Sequence, residues 1–385
     1  MKTRIIFATC VYESGGTEKH LEDLIVRLDF SKVEPVILCF GRDVYTDRLN
    51  RKYGIQVEIR VVQKRNTFLA YWLSFMKARP NVVVFVNGNL GWFPWFAYVA
   101  AKSSTARRVF AIEHLIADDF LPRKPSNGLL SPLRSLAGWH ARRLWKYRAE
   151  AMLCDRIICV SQAVNNKVVE HYHFAENKMV TIRNGVDLNH YGFHKNQNHI
   201  TDRTIPANSH SPVVLCVARL SEPKGLDILL DAMQKILSEL PECKCIIVGD
   251  GPSREKLLKK TQDLGISDSV QFTGHVDEVR PYYESSDMFV LSSLREGLPF
   301  VLLEAMTYEL PCIATDVGGC AEVIVNGETG FIVRPRQPDD LARAVVKLWA
   351  NPELRRKMGI KGKERVQKYF DINNTMARIS EILLQ

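Results

Sequence analysis

Short runs rich in Val, Ile, Leu and Phe, three to six residues long, recur from one end of this chain to the other and are separated by longer stretches of helical periodicity. A strand buried on both faces needs such a near-continuous apolar run, and parallel strands must be joined by crossovers long enough to hold a helix. The pattern therefore predicts parallel α/β architecture. In the first half the strand candidates are Arg4–Thr9, Pro35–Phe40, Val57–Val62, Val82–Val86, Arg107–Ile112, Arg156–Val160 and Met179–Ile182. In the second half they are Val213–Val217, Lys244–Val248, Val270–Phe272, Met288–Leu291, Cys312–Ala314 and Gly330–Val333. Between the two sets, the stretch 192–211 is rich in His, Asn, Thr and Ser and nearly free of aliphatics, which reads as a linker. The 385 residues thus divide into two doubly wound domains, 1–191 and 212–370, expected to face a central cleft.

Composition narrows the class further. With 46% hydrophobic and 25% charged residues the chain is neither disordered nor fibrous. Its nine cysteines lie mostly inside apolar runs and show no Cys-x-x-Cys spacing, so they read as reduced core thiols in a cytosolic compartment rather than zinc ligands or a disulfide framework. The start, Met1 to Cys10, is too short an apolar stretch for a signal peptide. Residues 80–101 carry no charge, but Asn87, Gly88, Asn89 and Pro94 interrupt them, so strand, loop and helix are expected there rather than a membrane span. Charge is uneven: residues 51–150 hold 17 Lys+Arg against 5 Asp+Glu, whereas 201–385 hold 23 against 26. A basic field confined to one domain points to an anionic partner: nucleic acid, acidic lipid or a phosphate-bearing substrate.

In a doubly wound fold ligands bind beyond the carboxyl ends of the strands, so chemistry is sought in the loops that follow them. After the first strand, Glu13-Ser14-Gly15-Gly16-Thr17-Glu18 leads into a helix expected at about Lys19; paired glycines allow close backbone approach to a ligand and the helix start favours an anion. The second domain's first strand is followed by Arg219 and Lys224-Gly225, two cations able to converge on one diphosphate. Gly249-Asp250-Gly251-Pro252 invites a dinucleotide reading, but the place of a third glycine is taken by Arg254, so a turn is the better assignment. Glu296-Gly297-Leu298-Pro299-Phe300, followed by Glu304, puts one carboxylate in a loop and a second inside the helix that starts near Pro299. Such a loop offers a carboxylate for sugar hydroxyls, backbone donors for an anion, and a deeper carboxylate for another pair of hydroxyls. Asp316-Val317-Gly318-Gly319 is a further glycine-rich loop, and His114 ends a strand of the first domain and is expected to point into the cleft. The chain contains no Asp-x-Asp, which disfavours a metal-chelated diphosphate.

Taken in order, Gly15-Gly16-Thr17-Glu18, Val160-Ser161, Asn184-Gly185-Val186-Asp187, Arg219 with Lys224-Gly225, Gly249-Asp250-Gly251-Pro252, Phe272-Thr273-Gly274, Glu296 to Glu304 and Gly318-Gly319 with Glu322 span nearly the whole chain. This ordered set resembles the retaining glycosyltransferases of the family numbered four, which have the two-Rossmann-domain fold called GT-B. The resemblance implies a nucleotide diphosphate sugar as donor, with UDP the commoner base, and no metal or other cofactor. It implies that Arg219 and Lys224 hold the donor's diphosphate and that Glu304 holds the ribose hydroxyls. Glu296 and the backbone of Gly297, Leu298, Pro299 and Phe300 would hold the transferred sugar, with Gly251 and Gly274 shaping the donor loops. His114 would touch the sugar from the first domain, Gly16 would approach the diphosphate and acceptor, and the final helix, about 371–385, would cross back to the first domain. Catalysis would then rest on Glu296, His114, Arg219 and Lys224 stabilising charge rather than on a side-chain nucleophile.

The family leaves the acceptor open, and here the basic field matters. Residues 120–150 hold Arg123, Lys124, Arg134, Arg142, Arg143, Lys146 and Arg148 with a single carboxylate and two tryptophans, Trp139 and Trp145, amid leucines. That composition suits an anionic membrane surface and a polyprenyl-diphosphate-linked oligosaccharide acceptor, placing the protein in the cytoplasm or on the inner face of the cell membrane; Trp92, Phe93, Trp95 and Phe96 are candidates to add to that face or to line the acceptor site. Two other functions are weighed: a GT-B enzyme of different chemistry, such as a sugar-nucleotide epimerase, which would turn over donor with no acceptor; and a nucleic-acid-binding protein, against which stands the lack of a recognisable nucleic-acid module.

Overall fold

A computed structural model describes residues 2–9, 16–40, 45–62, 68–87, 93–114, 145, 148–172, 176–189 and 211–385. The first unit holds a seven-stranded sheet made of β1 (Thr3–Thr9), β2 (Val33–Cys39), β3 (Glu58–Val61), β4 (Val82–Asn87), β5 (Arg108–Glu113), β6 (Arg156–Cys159) and β7 (Met179–Thr181). Its spatial order is β3-β2-β1-β4-β5-β6-β7, and every pairing is parallel. The second unit holds β8 (Val213–Val217), β9 (Lys244–Val248), β10 (Val270–Gly274), β11 (Met288–Leu291), β12 (Cys312–Thr315) and β13 (Gly330–Val333) in the order β10-β9-β8-β11-β12-β13, again all parallel. Each of the expected strands is present, with ends that differ by at most two residues. Central strands such as β4, Val-Val-Val-Phe-Val-Asn, are buried at every position, which is why they read as runs rather than as alternations.

Helices cover the sheets: α1 (Gly16–Val26), α2 (Thr46–Tyr53), α3 (Phe68–Ala78), α4 (Trp95–Lys102) and α5 (Gln162–Tyr172) in the first half, then α6 (Leu226–Glu239), α7 (Arg254–Asp263), α8 (Arg280–Glu284), α9 (Phe300–Thr307), α10 (Cys320–Val323), α11 (Pro338–Ala350), α12 (Pro352–Tyr369) and α13 (Ile372–Leu384). The uncharged stretch 80–101 resolves into β4 and α4 on either side of residues 88–92, and among the described residues no helix is long and apolar enough to cross a membrane. α1 begins at Gly16, three residues ahead of the expected start, so Gly16 is the first helical residue. The eight described cysteines are all free and buried, and burial pushes the Cys216 and Cys243 thiols up to about 12, as inert core thiols should be.

The chain divides after Arg183 and again after Ile372: one unit is 1–183 with 373–385, the other 184–372. Residues 184–189, expected in the first domain, group with the second because their backbone is tied there: Val186 N–H donates to Phe370 O at 2.8 Å and Val186 O accepts from Ile372 N–H at 3.2 Å. The expected linker, 192–211, lies outside the described residues except for its last. α13 closes the first unit, where Thr375 Oγ1 donates to Arg183 O at 3.0 Å and Arg27 Nε to Asn373 Oδ1 at 3.2 Å.

Candidate active site

In the second unit the strand order reverses between β8 and β11, which are hydrogen-bonded neighbours although the chain visits β9 and β10 between them. The carboxyl edge at such a reversal is the place where doubly wound sheets take ligands. Here the loops after those two strands are 218–225, with Arg219 and Lys224, and 292–299, with Glu296.

The two loops are laced together by backbone before any charge enters. Leu294 N–H donates to Pro223 O at 2.8 Å and Ser292 Oγ to Lys224 O at 3.1 Å. Gly225 lies so close to the second loop that a Cβ there would fall 2.3 Å from Ser292 O. This brings together two residues 72 apart in sequence: Lys224 Nζ donates to Glu296 Oε1 at 2.6 Å. The same oxygen accepts from Ser293 Oγ at 2.6 Å, and Thr315 Oγ1 fixes Ser293 in turn by donating to its carbonyl at 2.5 Å. The side chains are 22% exposed at Lys224 and 9% at Glu296. Such a charge-assisted contact is stronger than its counterpart on an open surface, and the remaining exposure leaves room for a ligand.

Behind Glu296 the loop is braced by backbone. Gly319 N–H donates to Gly297 O at 2.6 Å, and Asn184 Nδ2 donates to Leu298 O at 2.9 Å. Leu298 and Phe300 are buried, so what this loop offers a ligand is backbone and not those side chains. Pro299 caps α9 with extended backbone, and the first turn of a helix presents N–H groups unused within it. One turn in, Glu304 is buried and accepts from Tyr283 OH at 2.9 Å; the Tyr283 ring stacks on Tyr308 with centroids 5.3 Å apart. Arg219 is partly buried at the start of the first loop, where Leu220 N–H donates to Asp250 O at 2.9 Å. Gly251 packs its backbone against Leu220, and Gly274 ends β10 with nothing within 4 Å of where a Cβ would stand.

In the first unit, Gly16 is exposed at the head of α1 and His114 follows β5. The imidazole of His114 is buried, not open as its strand-end position suggests: its ring meets His20 edge-on at 4.7 Å, and Nε2 has no hydrogen-bond partner among the described residues. Beside it Asn87 Nδ2 reaches Glu113 Oε1 at 2.5 Å and Glu150 Oε1 at 3.1 Å, and Tyr98 OH donates to Glu150 at 3.0 Å. Burial, with the neighbouring His20 as second cause, holds the His114 pKa well below its ordinary 6.5. Folded His114 is therefore neutral at a pH where the unfolded chain takes up a proton. The stability this contributes is present above about pH 6.5 and is lost as pH falls from there toward the folded pKa. Replacing His114 with Gln is expected to flatten the loss of stability between about pH 7 and 5, measured by chemical denaturation; an unchanged slope would refute the assignment.

Of the residues expected at an acceptor or membrane face, Arg123, Lys124, Arg134, Trp139, Arg142, Arg143 and Lys146 lie outside the described residues, as does Trp92. Trp145 is helical and exposed, with the Arg148 guanidinium 5.8 Å from its ring centroid. Sequence reasoning gave no role to Ser293, Tyr283 or Asn184. Ser293 stands three residues before Glu296 and was within reach of a local argument; Tyr283 carried no local signal at all.

The two halves each match a family model: residues 14–190 match Glycosyltransferase Family 4 and residues 199–365 match Glycosyl transferases group 1. An uncharacterized glycosyltransferase of Haemophilus influenzae is 30% identical over 229 residues, 59% of this chain and 61% of that protein. A GDP-mannose-dependent alpha-(1-6)-phosphatidylinositol monomannoside mannosyltransferase of Mycolicibacterium smegmatis is 32% identical over 181 residues, 45% of this chain and 47% of the relative. The matched region thus spans about half to three fifths of these relatives. The crystal structure of Anabaena HepE with UDP-glucose superposes with a TM-score of 0.77 at 20% identity, covering 99% of both chains. Two all-parallel doubly wound units of this topology make up the GT-B fold. The chain belongs to the family 4 glycosyltransferases.

Proposed function

We propose that this protein transfers a sugar, with retention of anomeric configuration and without a metal ion, from a UDP-sugar to a lipid-carried saccharide of the polyprenyl diphosphate kind at the inner face of a cell membrane. What supports this most is the junction of Lys224, Glu296 and Ser293 at the switch point, with Glu304 buried one turn further on. A lysine ammonium has three donors. One binds Glu296, leaving two for the phosphate oxygens of the donor, so a single group sets the distance between the sugar ligand Glu296 and the leaving diphosphate. Arg219 adds a second cation, which supplies what a metal would otherwise supply. Glu304 takes the ribose hydroxyls, and the acceptor is served by the first unit. Bond cleavage leaves negative charge on the diphosphate, which Lys224 and Arg219 stabilise while the departing oxygen takes the acceptor's proton. HepE has been crystallised with UDP-glucose whereas the mycobacterial relative is GDP-mannose-dependent, so both bases belong in the test.

Thermal unfolding is to be followed against UDP- and GDP-sugars in EDTA. A hundredfold excess over Kd should stabilise the fold by about 2.7 kcal/mol. The shift is expected with a UDP-sugar and is expected to vanish in Glu304→Ala. No shift with any sugar nucleotide, or a shift that needs added divalent metal, overturns the proposal.

A further inference from the structure

We propose that the outward face of α3 and the first turn of α4 dock on an anionic lipid bilayer. This deepens the lipid-carried acceptor proposed above and rests on it for its purpose, while the surface itself is argued from burial and charge.

α3 is apolar around nearly its whole circumference. Tyr71, Phe75 and Ala78 form its inner stripe; Tyr71 meets Phe96 of α4 at 5.7 Å and Phe75 meets Phe85 of β4 at 6.0 Å between ring centroids. That stripe satisfies the core. By the helical period, Phe68, Trp72, Met76, Leu69 and Leu73 occupy an adjoining arc of about 140° that runs outward from beside Phe75, with Trp72 and Met76 half-buried and Phe68, Leu69 and Leu73 exposed. The water-facing side of a helix covering a sheet is ordinarily polar, and here Phe68, Leu69 and Leu73 stand exposed on it beside Lys77. Phe68, Leu69 and Leu73, with Trp95 at the start of α4, are 41–57% exposed and make up four of the nine large apolar residues exposed among the described residues. An apolar patch of this kind marks an interaction surface.

Charge selects the partner. From residue 59 to residue 112 the sequence holds eight Lys or Arg and no Asp or Glu, and both α3 and α4 fall inside this stretch. Lys77 and Arg79 stand exposed at the end of α3. Apolar side chains with tryptophan among them, flanked by cations and free of carboxylates, fit a bilayer interface that carries anionic head groups.

The test is flotation with vesicles of phosphatidylcholine alone and of phosphatidylcholine mixed with phosphatidylglycerol, beside gel filtration. The protein is expected to float with the mixed vesicles and at least about tenfold less with the neutral ones. Phe68→Ser/Leu69→Ser/Leu73→Ser should cut recovery by about tenfold or more while keeping the thermal shift with sugar nucleotide, which separates failure of docking from failure of the transferase reading. Should that variant fail to fold, Lys77→Glu/Arg79→Glu is expected to erase the preference for mixed vesicles. Equal recovery with both vesicle types, unchanged flotation of the triple variant, or a dimer of the parent chain that the triple variant dissociates without a change in flotation would overturn the proposal, the last in favour of a second copy as the occupant.

Discussion

Lys224→Ala is expected to lower kcat/KM for the sugar nucleotide about a thousandfold. Two losses combine. The diphosphate loses a charged donor aimed at the charge that develops on leaving, which by itself is worth about a hundred- to a thousandfold. Glu296 also loses its counter-ion at 2.6 Å and keeps only Ser293 on Oε1, so an uncompensated carboxylate, 9% exposed, faces an incoming dianion. Because Lys224 is itself part-exposed and Ser293 still donates to Glu296, the cost to fold stability should be about 1–3 kcal/mol, and the variant should be obtained folded. Lys224→Arg keeps the charge but replaces a compact ammonium with a planar fork, so recovery within about tenfold of the parent is expected. Initial rates of nucleotide release, with calorimetric donor binding alongside, read both effects. A loss of less than tenfold in Lys224→Ala would mean that the lysine serves only to hold Glu296.

Gly318→Ala is expected to destabilise the second unit by about 3 kcal/mol and to remove sugar-nucleotide binding with it. Gly318 has φ +53, and an added Cβ would stand 1.8 Å from Glu296 O and 2.6 Å from Glu296 C. Both contacts are backbone, so no side chain can turn aside; the loop that carries Glu296 must move. The strain of left-handed backbone alone costs about 1–2 kcal/mol, and the clash adds to it. Gly327 separates the two terms, because its φ of +80 is equally unfavourable to alanine while nothing lies within 4 Å of the added atom. Gly327→Ala should therefore cost about 1 kcal/mol and leave ligand binding intact. Denaturant unfolding of both variants decides the matter, and equal stabilities would show that the close approach at Gly318 carries no weight.

How much of this was legible in the sequence follows from the range of each interaction. Parallel strands covered on both faces announce themselves as apolar runs, so β4 and β8 to β13 could be bounded to within two residues from composition alone. Lys224, Glu296 and Glu304 were legible because strand-end loops are where such a fold places its ligands. Their mutual geometry was not. The Lys224 to Glu296 contact depends on β8 and β11 being neighbours, a fact of topology that local periodicity does not carry. Tyr283 and Asn184 reach Glu304 and Leu298 across 21 and 114 residues, and nothing near them in sequence advertises the partner. The divide between the units is hidden for a related reason: polar composition marks 192–211, whereas the hydrogen bonds of Val186 to Phe370 and Ile372 put the boundary after Arg183. His114 was placed correctly at a strand end, but its burial against His20 on α1 is a packing outcome.

The return of α13 to the first unit carries a consequence for synthesis. The second unit is one continuous stretch, 184–372, and can complete its core as soon as that stretch has left the ribosome. The first unit is translated earlier but lacks residues 373–385, whose contacts with Arg183 and Arg27 can form only after the whole of the second unit has been made. The half whose synthesis starts first is thus the half that is completed second.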